Sequence, residues 1–69
     1  MDVPNVKINR RAAERLRAGH VWVYRSDLAN PEQELPFGDV VHVASEKGRF
    51  LGSALASSAS QIALRVFAA

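Results

Sequence analysis

The 69-residue sequence has no cysteine, two histidines, one tryptophan and one tyrosine. Without cysteine there is no disulfide framework, no thiolate nucleophile and no Cys-based zinc site, so the fold must be held by its core alone. His20 and His42 do not stand at metal-ligand spacing to one another, and no metal ligand is assigned. Ser57, Ser58 and Ser60 lack the Gly-x-Ser-x-Gly nucleophile elbow, and the isolated glycines match neither phosphate-binding fingerprint. No catalytic residue is therefore assigned. No apolar run approaches the roughly 20 residues that span a membrane, and Met1-Asp2-Val3-Pro4 opens no signal peptide. The expectation is a cytoplasmic chain without membrane contact, whose function is binding rather than chemistry.

What is present is a lopsided charge pattern on a globular composition. Hydrophobic residues make up 48% and charged residues 23%, enough apolar content for one packed domain over residues 1–69 but close to the lower size limit for independent folding. The net charge is only +2. Yet Lys7, Arg10, Arg11, Arg15, Arg17 and Arg25 face a single acid, Glu14, while Asp27, Glu32, Glu34, Asp39 and Glu46 fill the middle. A polyanionic partner and a merely solvated helix face both fit the charge alone.

Val6-Lys7-Ile8 alternates as a short strand. Asn9 is a favoured N-cap, and Arg10 to Ala18 reads as a helix with Ala12, Ala13 and Leu16 on its docking side. Arg11 and Arg15 share a second side, and Arg10, Glu14 and Arg17 a third; all the arginines are expected outside. Gly19 ends the helix. In the next strand, Val21 to Tyr24, alternation puts Val21 and Val23 on one face and His20, Trp22 and Tyr24 on the other. A lone strand tryptophan is expected in the core rather than free for stacking. Ser26 to Phe37 reads as a loop with a turn near Asp27 to Asn30. Val40 to Ala44 and Phe50 to Ala56 form a hairpin around Glu46-Lys47-Gly48-Arg49, with Gly52 marking a bulge. After a serine-rich loop, Gln61 to Phe67 alternates, with Ile62, Leu64 and Val66 inward and Gln61, Ala63, Arg65 and Phe67 outward. Arg49 and Arg65 read as solvated surface charges. The chain stops at Ala68-Ala69 near a strand end, which suggests a cut at a domain boundary. Five short strands and a helix close most economically into a small mixed β pseudo-barrel: mainly β, with one or two short helices.

The order of these segments resembles a known family. The residues that carry the likeness are Arg11 to Leu16, His20 to Tyr24, Gly38 to Val41, Gly48 to Gly52 and Ser57 to Arg65. They are similar to the N-terminal PUA domain of bacterial SAM-dependent methyltransferases that modify cytosine C5 in large-subunit rRNA. The departure is Val21, where that family usually has proline. The resemblance implies a PUA-like pseudo-barrel that binds RNA, with the first helix and its glycine corner as the RNA surface. It also implies a catalytic domain in cis, outside these 69 residues, that would hold SAM; no cofactor is expected on this chain.

Residue reading and resemblance converge on Arg11, Arg15, Arg17, Gly19, His20, Tyr24 and Arg25 as the RNA-binding set. Arginines would take phosphates, Gly19 would permit close backbone approach, and His20 or Tyr24 would stack on an unpaired base. For His20 a hydrogen bond within the corner fits as well. The alternative is a structural domain that packs on the catalytic domain, or forms a homodimer, through an apolar patch near Phe67.

Overall fold

The computed structural model describes residues 3–30, 35, 38–57 and 61–68. Within them the chain forms β1 (Asn5–Lys7), α1 (Arg10–Arg17), β2 (Trp22–Tyr24), a 3-10 turn (Arg25–Asp27), β3 (Val40–Ala44), β4 (Phe50–Ala56) and β5 (Ile62–Ala68). The strands make one sheet in the order β1-β3-β4-β5-β2. β1 runs parallel to β3, and the other pairs are antiparallel.

The sheet curls into a half-barrel, and its two edges are tied together by the chain that follows them. Ile8, just past β1, bridges Leu28, just past the turn that follows β2. The Asn9 N–H donates to the Asp27 carbonyl at 2.8 Å, and the Ala29 N–H to the Lys7 carbonyl at 2.9 Å. This seam satisfies edge groups that would otherwise face solvent. Inside, Val6, Ile8, Val23, Val41, Val43 and Leu64 are fully buried, and α1 contributes Ala12 and Ala13. Two methyl groups let the helix axis sit close to the sheet, with Leu16 packed at the margin.

The hairpin is where the pattern placed it, with Gly48 at φ +90° in its turn. The bulge is also present: Val43 pairs with Gly52 and Ala44 with Phe50, which leaves Leu51 as the extra residue. The first strand is one residue earlier than expected, and the turn falls at Arg25–Asp27. The expected loop residues 31–34, 36, 37 and 58–60 lie outside the described set.

Three expectations about side chains are corrected. Trp22 is 47% exposed, not in the core. β2 is three residues long with one inward position, and Val23 fills it. Val21 does not share the inward face of Val23; it precedes the strand and is exposed. Ala63 is fully buried rather than outward. Val23 pairs with Leu64 and Tyr24 with Ile62, so Ala63 is the extra residue of a bulge that breaks the period-2 alternation.

Because α1 meets the core through methyl groups, Ala12→Leu should overpack the helix–sheet contact and cost about 1–3 kcal/mol in urea denaturation. Ala18→Leu, at an exposed position, should stay within about 0.5 kcal/mol of the parent.

Candidate nucleic-acid interface

α1 is only eight residues long and would not persist in water by itself. Both of its ends are capped. The Asn9 side chain accepts from the Ala12 N–H at 2.8 Å. At the other end the Gly19 N–H donates to Leu16 O at 3.1 Å and the His20 N–H to Arg15 O at 3.0 Å, the paired bonds of a Schellman cap. Gly19 has φ +104°, a conformation that this cap requires and that a Cβ disfavours.

The cap turns the chain sharply into β2 and opens a groove of about 350 Å³. Leu16, Val21, Leu51, Val66 and Phe67 supply apolar walls, while Gly19 and His20 form the corner and Arg17 stands on the rim. Phe67 is 58% exposed. The groove therefore offers flat apolar contact next to a cation and to exposed backbone.

The helix arginines are not equivalent. Arg15, expected outside, has its side chain only 30% exposed and forms an ion pair with Asp27, whose side chain is 11% exposed. The same Asp27 oxygen accepts from the Tyr24 backbone N–H at 3.1 Å. A carboxylate this enclosed needs both partners, because burial disfavours the charged form unless it is paired. Arg15 thus ties α1 to the end of β2. Arg25 is also engaged, donating to the Ser57 carbonyl at 3.0 Å. Arg11 and Arg17 stay exposed on the helix. Of the expected set, Arg17, Gly19 and His20 meet at one groove, with Arg11 on the same helix. Tyr24, 43% exposed, stands with Trp22 on the outer face of β2 and is not among the groove-lining residues.

A second concavity, of about 950 Å³, lies on the other side of Arg17. There Arg10 and Arg17 of α1 face Lys47 and Arg49 of the β3–β4 turn. Arg49 is exposed, as expected of a solvated surface charge, and it lines a cleft with three other cations. β1 and β3 are parallel and end together, with the Ile8 N–H donating to Ala44 O at 2.9 Å. The helix after β1 and the turn after β3 consequently emerge side by side. Glu46 fastens them, since its Oε1 accepts from the Arg10 backbone N–H at the helix start, at 3.0 Å. Arg10 also pairs with Glu14 at 3.3 Å on the solvent side. A turn reading Glu-Lys-Gly-Arg is visible in sequence, but the helix it faces follows only from the parallel pairing.

Among the described residues no group of His, Cys, Asp and Glu is placed to hold a metal ion, and no helix is long and apolar enough to cross a membrane.

A half-barrel of five mixed strands, sealed by a seam and capped by a basic helix, is a small single-helix β architecture. The chain belongs to the PUA-like domain family, whose model matches residues 6–69. No curated protein matches the sequence. Among solved structures, a protein assigned as a SAM-dependent methyltransferase from Streptococcus mutans superposes with a TM-score of 0.77 at 21% identity, over 96% of this chain. A conserved PUA domain protein from Thermoplasma acidophilum gives a TM-score of 0.78 at 18% identity, again over 96% of this chain. A methyltransferase complexed with SAH gives 0.76 at 21% identity. The chain spans 17% of the length of each methyltransferase and 48% of the Thermoplasma protein. At these identities the likeness is one of fold.

The Asp27 junction can be tested apart from any ligand. Asp27→Ala leaves the Arg15 guanidinium and the Tyr24 N–H without their buried acceptor. It should cost about 1–3 kcal/mol in thermal or urea unfolding. Arg11→Ala, at an exposed site, should cost no more than about 0.5 kcal/mol.

Proposed function

We propose that this domain is an RNA-binding module. In this reading it positions large-subunit rRNA for a SAM-dependent methyltransferase domain carried in cis outside these residues. The observation that supports it best is the groove at the Gly19 corner, with apolar walls and Arg17 on its rim. An unpaired base needs a flat apolar surface to replace its stacking neighbours, and its phosphate needs a cation within reach. His20 and Phe67 offer the stacking surface, the exposed backbone at Gly19 allows close approach, and Arg17 and Arg11 take the phosphates. Arg15 serves by holding α1 against β2, so that the free arginines project from a fixed helix. The methyl donor and the catalytic groups belong, in this reading, to the other domain, which is also the partner that confers specificity.

A second reading has its own observation. Val21 and Phe67, 46% and 58% exposed, lie together on the groove wall, and an exposed apolar pair is also what a packed neighbour or a second copy would cover. In that case the domain is a scaffold with little RNA contact.

The two are separated by titrating the protein with a structured large-subunit rRNA fragment across a salt series. RNA binding predicts a fall of log K with log salt, and a slope reduced by about two units in Arg11→Ala/Arg17→Ala. An absence of binding at low salt, together with concentration-dependent self-association in sedimentation, would favour the scaffold.

A further inference from the structure

The Gly19 groove accounts for Arg17 but leaves Lys47 and Arg49 without a role, and Arg10 with only its exposed side-chain pair to Glu14. We infer that the β3–β4 turn is the second jaw of the RNA site: Lys47 and Arg49, facing Arg10 and Arg17 across the 950 Å³ cleft, bind successive phosphodiesters of the strand whose base occupies the groove. This rests on the RNA-binding reading and deepens it.

Three features carry the inference. The cleft gathers four cations around one acid, Glu46. Glu14 also pairs with Arg10 from the solvent side, and the excess of positive charge lining the cleft attracts a polyanion, which releases its own counterions on binding. The arrangement is also fixed. The Glu46 carboxylate accepts from the Arg10 N–H at the start of α1, and the Arg49 N–H donates to the Ser45 hydroxyl at 3.1 Å while the Gly48 N–H donates to Ser45 O at 2.8 Å. The turn backbone is therefore held against the helix, which leaves the side chains to be ordered on binding. Finally, the cleft and the groove share Arg17 as a common wall. A strand leaving the groove passes that guanidinium directly into the cleft. Arginine forks fit carboxylate and phosphate alike; phosphate is taken as the anion because the groove proposed for a base adjoins the cleft at Arg17.

Glu46 then has two opposing effects. Its hydrogen bond positions the turn, while its charge opposes the ligand. Glu46→Gln keeps the acceptor oxygen and removes the charge.

The experiment measures binding of the protein to a fluorescein-labelled RNA stem-loop with a single-stranded 3′ overhang, from low to physiological salt. It compares parent, Lys47→Ala/Arg49→Ala, Glu46→Gln and Arg65→Glu. The last also removes two charge units, but from the exposed face of β5, outside both concavities. Thermal unfolding of each variant confirms that the fold is kept. Lys47→Ala/Arg49→Ala should lower the salt slope by about two units. Glu46→Gln should bind about two- to fivefold tighter. Arg65→Glu should keep the parent slope, since Arg65 lines neither concavity. If the parent binds and the turn variant behaves like Arg65→Glu, the second jaw is wrong while RNA binding stands. If the parent does not bind at all, both fall. Poly-glutamate should displace the RNA poorly; equal displacement would overturn the assignment to phosphates.

Discussion

Asp27 sits where three parts of the molecule must agree. Its carbonyl receives the Asn9 N–H that closes the barrel seam, and its carboxylate receives Arg15 from the helix and the Tyr24 N–H from the end of β2. One residue thereby fixes the distance between the sheet's two edges and the roll of α1 over the core. Without it α1 would keep only the Glu46 hydrogen bond at its start, two alanine methyls and a half-buried leucine to hold it to the sheet. The exposed arginines can act as a surface only because Arg15 is not one of them.

Much of the fold was legible because local chemistry and global pairing agree in the β3–β4 hairpin. Val40 to Ala44, the turn at Gly48 and the bulge beside Gly52 are written in residue types whose backbone preferences point one way. The helix was legible for the same reason, from Asn9 and Gly19 at its ends. The misreadings share a cause. Trp22, Val21 and Ala63 depend on how many inward positions a strand has once bulges and length are set, which is decided by pairing between distant segments. Arg15 looked free because its acid lies 12 residues away in a stretch read as loop. Lys47 and Arg49 were visible as charges, but their relation to α1 depends on a parallel β1–β3 pair that no local signal announces.

The candidate site follows a division of labour. Small residues, Ala12, Ala13 and Gly19, bring backbone close to backbone, and long cations project from the frame so made. Arg17 belongs to both concavities, and so couples an apolar groove suited to a base with a charged cleft suited to a backbone. In the methyltransferases of similar fold this architecture is 17% of the chain.

The strand order also constrains how the molecule can be made. β2 finds its partner only in β5, with Trp22 paired to Arg65 some 40 residues later, and β1 waits for residues 42–44. At synthesis rates of about 5–20 residues per second, roughly 2–8 s separate the making of β2 from that of its partner strand. Local contacts cannot shorten that wait, because an eight-residue helix does not persist on its own. Folding is therefore gated by translation of the last strand. A nascent chain stalled after β4 would hold a hairpin and an unpartnered basic segment, with neither the groove nor the seam.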